Sequence, residues 1–148
     1  MASVARVFVD TSALFAAVLS ATGGARMVLK LGEAGAVKLL ASRQVLSEAE
    51  GALRRKAPEA LPDLGLLLER AGLEVVSSAG RSKVGKLLDA VGHPGDAQIA
   101  ADALAAEADY LVTLDKAHLL GNRHLARAVP YAIGAPGDFL AWFRSSEF

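Results

Sequence analysis

Arg6-Val-Phe-Val-Asp10-Thr-Ser12 decides how the rest of the chain is read. Arg6 to Val9 is a short apolar run of β-branched and aromatic residues, which predicts a buried strand. The three residues behind it all favour helix N-caps, so the chain turns from strand to helix at Asp10. The same arrangement recurs a hundred residues on. Tyr110-Leu-Val-Thr113 predicts a strong strand, and it runs out in Leu114-Asp115.

The segments around these two points alternate between strand and helix. Helices are predicted over Ala13 to Leu19 and Ala25 to Ala34, then a strand over Val37 to Ala41. Ser42 caps a helix running to Lys56, which Pro58 ends. A leucine-rich helix over Pro62 to Ala71, a strand over Leu73 to Val76 and a short helix over Lys83 to Ala90 follow. Asp96 to Ala108 is an alanine-rich helix behind Gly92-His-Pro-Gly95, and a weaker strand near Val129 to Ile133 precedes a last helix, Asp138 to Arg144. Continuously apolar strands alternating with helices predict an α/β fold: a parallel sheet covered on both faces. Such sheets bind ligands beyond the carboxyl ends of their strands.

The chain has 148 residues, 53% of them hydrophobic, with 16 basic and 16 acidic residues and no cysteine. That length predicts one domain over residues 1–148. Disorder, a collagen-like fibre and a disulfide scaffold are excluded by the composition. Lack of cysteine excludes thiolate zinc sites and redox dithiols and suits a reducing cytoplasm. The opening, Met1 to Arg6, lacks the pattern of a signal peptide, and no run reaches the ~18 apolar residues of a membrane span. A cytoplasmic protein without membrane contact is expected. Balanced charge argues against holding nucleic acid by bulk electrostatics, which leaves a local basic patch or a metal ion.

In a parallel sheet Asp10 and Asp115 share one edge, with Asp96 at the start of a helix and Glu48 just beyond the second strand. Four converging carboxylates repel one another unless a cation neutralises them. Oxygen ligands in that number suit Mg²⁺ or Mn²⁺, which can activate water at a phosphodiester. Each acid also has an ordinary reading. Asp10 suits an N-cap, Asp96 the positive end of a helix dipole, Glu48 a solvated helix face, and Asp115 a turn. Glu50 pairs with Arg54 four positions on. The case rests on the four together.

Dinucleotide, phosphate-loop and nucleophile-elbow signatures are absent. His93, His118 and His124 lie in separate contexts without metal-ligand spacing; His93 is read as a loop residue and His118 as a surface residue beside the cleft. Trp142, Phe139 and Phe143 share a helical face that packs. Arg54, Arg55 and Lys56 form the strongest local basic patch, for RNA backbone or a helix C-terminus.

Val-Phe-Val-Asp10-Thr-Ser, Glu48 in Val-Leu-Ser-Glu-Ala-Glu-Gly-Ala-Leu-Arg-Arg, Gly-Asp96-Ala-Gln-Ile and Leu-Val-Thr-Leu-Asp115 resemble the successive motifs of PIN domains. The nearer resemblance is to the bacterial VapC-like subgroup, toxin components of toxin–antitoxin pairs, whose C-terminal signature Gly134 to Trp142 also resembles. The resemblance implies a three-layer sandwich with a parallel sheet in the order 3-2-1-4-5, and Mg²⁺- or Mn²⁺-dependent hydrolysis of single-stranded RNA. It assigns Asp10, Asp96 and Asp115 as metal ligands, with Glu48 completing the site or orienting the attacking water. Thr11 or Ser12 and Thr113 match hydroxyl positions that support the acids. Attack at phosphorus leaves a 3′-hydroxyl and a 5′-phosphate. Lys116, Ala117 and His118 stand where some relatives carry a further acid, and Asp102 and Asp109 match no metal position. An antitoxin partner and a homodimer or higher homo-oligomer are also implied. The rival readings are a catalytically inactive PIN-like binding module and another phosphate-handling α/β domain. Against an aspartyl-phosphate phosphatase, Ser12 stands where a second aspartate belongs. A receiver domain needs paired acids at the first strand.

Overall fold

A computed structural model describes residues 3–146. The first and last two residues, including Met1-Ala2 of the opening, lie outside the described residues. Five parallel strands, β1 (Ala5–Val9), β2 (Val37–Ser42), β3 (Glu74–Val76), β4 (Tyr110–Val112) and β5 (Ala132–Gly134), form one sheet in the order β3-β2-β1-β4-β5. Among the described residues eight α-helices flank it: α1 (Thr11–Leu19), α2 (Gly24–Glu33), α3 (Arg43–Lys56), α4 (Leu61–Arg70), α5 (Arg81–Val91), α6 (Pro94–Ala105), α7 (Arg123–Ala128) and α8 (Pro136–Ser145). This is the PIN-like order expected above. No single helix among the described residues is long and apolar enough to cross a membrane.

The central strands are apolar because both of their faces are covered. Val7, Phe8, Leu39, Leu40 and Leu111 are fully buried, with Leu14 of α1, Val45 and Leu53 of α3 and Phe139 of α8 packed into the same core. Each such side chain contributes about 1.5–3 kcal/mol of transfer free energy before ordering entropy is subtracted. Tyr110 and Phe139 meet edge to face, centroids 5.1 Å apart, and Trp142 lies 5.0 Å from Tyr110 with its ring tilted by 55°. The aromatic face of α8 is therefore a packing face.

Sequence and structure part at three places. β3 is an exposed edge strand, with Val75 48% exposed, and not the continuously buried strand predicted over Leu73 to Val76. Three residues, one of them charged Glu74 paired with Arg6 at 3.6 Å, keep that edge short and polar. Helix α7 was not predicted. It has a single buried anchor, Leu125, and its start is set by the Asn122 side chain, which accepts from the Leu125 amide at 3.0 Å. Finally, Glu50 and Arg54 do not form the expected ion pair; both are exposed on α3.

Strand order reverses between β1 and β4, since β2 and β3 lie to one side and β4 and β5 follow on the other. The crevice beyond the carboxyl ends of β1 and β4 is the switch point of the sheet. The Asp10 amide donates to the Val112 carbonyl at 3.1 Å, which locks the two strand ends in register there.

Candidate active site

Asp10 follows the last residue of β1 and caps α1. One carboxylate oxygen, Oδ1, accepts from the Ala13 amide at 3.2 Å and from the Ser12 hydroxyl at 2.6 Å. The other, Oδ2, accepts from the buried Thr113 hydroxyl just past β4. Only 3% of Asp10 is exposed. Burial pushes its carboxyl above the usual range, against the lowering effect of the Ser12, Thr113 and Ala13 hydrogen bonds. The Asp115 charge raises it further. Capping and convergence are thus the same fact at this residue.

Glu48 sits in the second turn of α3, whose start Ser42 caps by accepting from the Val45 amide at 3.3 Å. Thr11 donates to Glu48 Oε2 at 2.9 Å and Gln44 donates to Oε1 at 3.0 Å. Gln44 also donates to the Gly95 carbonyl at 3.3 Å, fastening α3 to the start of α6. Only Glu48 of the α3 acids lines the cleft; Glu50 does not.

Gly92 ends α5 at φ +80°, a left-handed conformation that glycine adopts freely, and so turns the chain toward His93. His93 caps α6 by accepting the Asp96 amide on Nδ1 at 3.3 Å. Asp96 in the first turn then faces Asp115. Burial is the largest cause raising the Asp96 carboxyl, followed by the charge and hydrogen bonding of Asp115; His93 and His118 oppose the shift. Asp115 is held at both ends. Its amide donates to Thr113 Oγ1 at 3.0 Å, and its Oδ1 accepts from the Ala117 amide at 2.9 Å.

Asp10, Thr11, Ser12, Phe15, Glu48, Lys56, Asp96 and Asp115 line one open cleft of about 350 Å³. All four acids picked out from sequence line it. The hydroxyls of Thr11, Ser12 and Thr113 are spent on carboxylates: Thr11 on Glu48, the other two on Asp10. Ser12 also accepts the Leu114 amide at 2.9 Å. Larger cavities exist elsewhere, including one of about 560 Å³ bordered by Trp142, but it gathers only Glu107 and Asp109 as acids and lies away from the strand carboxyl ends.

The pairing of His93 with His118 was not legible in the sequence. His118 Nδ1 lies 2.9 Å from Asp96 Oδ2 and 3.7 Å from Asp115 Oδ2, and His93 Nδ1 lies 3.4 Å from Asp96 Oδ2. The histidines read as separate are therefore neighbours, because the turn before α6 and the loop after β4 run along the same edge. Each stands three residues from a cleft acid, which is the signal sequence reasoning could have used. Lys56 at the end of α3 places its ammonium 5.4 Å from the Phe15 ring centroid, at the wall of the cleft.

An all-oxygen set of four carboxylates, in which burial and the neighbouring Asp115 charge raise the proton affinity of Asp10 and Asp96, fits a hard divalent cation. Asp10, Asp96, Asp115 and Glu48 are the residues able to hold one.

No curated protein matches this sequence. Among solved structures, PAE2754 from Pyrobaculum aerophilum superposes with a TM-score of 0.61 at 21% identity, over 97% of this chain and 100% of that one. VapBC2 from Rickettsia felis, solved bound to a DNA fragment from their promoter, superposes with a TM-score of 0.62 at 22% identity, over 87% of this chain and 96% of that one. At such identities the likeness is one of fold. The sequence pattern of PIN domains, a family whose members are generally nucleases, matches residues 6–117, from the first residues of β1 to the loop beyond Asp115. With that span covering all four acids and most of its length, the chain belongs to the PIN domain family.

Proposed function

We propose that this protein is a Mg²⁺- or Mn²⁺-dependent endoribonuclease that hydrolyses single-stranded RNA, acting in the cytoplasm as the toxin of a toxin–antitoxin pair. One observation carries the reading: Asp10, Glu48, Asp96 and Asp115, drawn from four separate segments, line a single cleft at the switch point of the sheet. Asp10, Asp96 and Asp115 hold the cation and Glu48 completes the site. When bound, the cation supplies charge neutralisation and acidifies water at the scissile phosphate.

The chain's own residues do the positioning. Thr113 and Ser12 fix the Asp10 carboxylate, and Thr11 with Gln44 fixes Glu48, so that this carboxylate orients the attacking water. Lys56, its ammonium held over the Phe15 ring, receives the RNA as a cation for phosphate. In-line attack leaves a 3′-hydroxyl and a 5′-phosphate. The likeness to VapBC2 supports an antitoxin partner, and the apolar composition supports a homodimer.

The test uses the purified full chain, end-labelled single-stranded RNA and either Mg²⁺ or Mn²⁺. Cleavage abolished by EDTA and by Asp10→Asn, with 5′-phosphorylated products, is expected. RNA bound but intact under both cations overturns the enzyme reading in favour of a binding module. Turnover of a simple phosphomonoester with no RNA cleavage transfers the cleft to a phosphatase.

A further inference from the structure

One ring nitrogen from each of His93 and His118 and one Asp96 carboxylate oxygen all lie within 4.8 Å of one another, at the lip of the acidic cleft. Of the four acids, Asp96 uses both histidines: its amide donates to His93 Nδ1 at 3.3 Å, and its Oδ2 lies 2.9 Å from His118 Nδ1. Their rings lie 4.9 Å apart, centroid to centroid, tilted by 30°. The backbone of this corner is built on both sides. Asn122 donates to the carbonyls of His118 and Ala90, each at 2.8 Å, and so fastens the loop after β4 to the end of α5. Gly92 and the capping of α6 fix His93 from the other direction.

Two imidazoles and one carboxylate form a different donor set from the four carboxylates beside them. Imidazole nitrogen is a poor ligand for Mg²⁺ and a good one for Zn²⁺, Co²⁺ and Ni²⁺. Three protein ligands on one side leave the remaining positions open to water or to a substrate oxygen. We propose that His93, Asp96 and His118 form a second cation site, selective for borderline transition ions over Mg²⁺, that shares Asp96 with the acidic centre. The sharing couples the two sites: a transition ion on the histidines engages the carboxylate that the hard cation also needs. The coupling, though not the histidine site itself, rests on the ribonuclease reading of the cleft.

The histidines are their own probes. In ¹⁵N-imidazole NMR of the full chain, one equivalent of Zn²⁺ is expected to shift His93 and His118 and to leave His124, exposed on α7, unmoved. Millimolar Mg²⁺, held by the acidic centre through the shared Asp96, is expected to move His93 and His118 far less than Zn²⁺ does and to leave His124 unmoved. Calorimetric Zn²⁺ affinity should fall by about tenfold or more in His118→Ala and in His93→Asn, the latter keeping a side-chain acceptor for the α6 cap. Equal shifts at His124, or unchanged Zn²⁺ affinity in both variants, overturn the site. The two readings fail separately. Zn²⁺-dependent shifts at His93 and His118 in a protein that cleaves no RNA keep this site and sink the ribonuclease, whereas Mg²⁺-dependent cleavage with unmoved histidines does the reverse.

Discussion

Thr113 and Asp10, 103 residues apart in sequence, meet through one buried hydrogen bond between the ends of β4 and β1. The same threonine oxygen accepts the Asp115 amide at 3.0 Å. A single hydroxyl, fully enclosed, therefore sets the angle of one cleft acid and the backbone of another. Through that hydroxyl the ends of β1 and β4 hold Asp10 and Asp115.

Thr113→Val keeps the shape of the side chain and removes both bonds. Leaving the Asp10 oxygen and the Asp115 amide without that partner should cost about 1–3 kcal/mol of stability. Cleavage should lose roughly 10–100-fold in kcat with little change in KM, because a support is lost and no substrate contact. Thr113→Ser, which retains the hydroxyl, should recover most of the loss. Chemical denaturation and steady-state kinetics on the three proteins check this, and a serine variant as impaired as the valine one counts against a positioning role.

Asp10 gives a pH signature in the metal-free protein. Folding raises its carboxyl above 3.8, with burial as the main cause, so the folded chain binds that proton more tightly than the unfolded one. Ionisation then costs stability progressively as pH rises from 3.8 through the folded value, and costs nothing below 3.8. Asp10→Asn removes this penalty. In EDTA it should melt above the parent at pH 7, by about 2–4 °C for each kcal/mol regained, with the gap closing below pH 4. Added Mg²⁺ should raise the parent's melting temperature and leave the variant's almost unmoved. Thermal scans across pH measure both effects.

Glu48 and Glu50 are two positions apart on α3 and separate cleanly in space. Glu48 accepts from Thr11 and Gln44 inside the cleft, whereas Glu50 is exposed outside it. Glu48→Gln should lower kcat at least about 100-fold, in the range of a lost acid–base or water-positioning group. Glu50→Gln should stay within about twofold of the parent and within about 0.5 kcal/mol in stability. Single-turnover cleavage with saturating cation reads the difference directly.

How much of this was legible in sequence follows from what each residue depends on. Asp10 and Asp115 stood out because a strand that ends in an acid is a local pattern, and parallel pairing of β1 with β4 is enough to bring the two together. Glu48 needed the further choice over Glu50, which came from the family resemblance of the helix through Leu53-Arg54-Arg55. His93 and His118 were invisible as a pair because they sit in loops, and their approach depends on the left-handed turn at Gly92 and on the Asn122 clasp. The exposed character of β3 was hidden for a similar reason: Val75 and Val76 look like core until the edge position is known. α7 has one buried anchor and no periodic face to read.

Lys56 stands at the substrate side of the cleft. The sequence grouped it with Arg54 and Arg55, yet of the three it is Lys56 that lines the cleft wall, its ammonium held over Phe15. On the proposed function, a cation there screens the four acids from an incoming phosphate and takes up one backbone charge, without touching the attacking water. Lys56→Ala should therefore raise KM about three- to tenfold while leaving kcat within about twofold, the mark of uniform binding lost. The clearest reading comes from salt. Binding of single-stranded RNA by the Asp10→Asn protein, which spares the RNA, should weaken with added KCl. Introducing Lys56→Ala should flatten that dependence by about 0.7 in the log–log slope, one phosphate contact on a single strand. Fluorescence anisotropy at four or five salt concentrations resolves a change of that size. A slope unaltered by the substitution would move the RNA path away from this wall of the cleft, toward the face presented by Arg54 and Arg55.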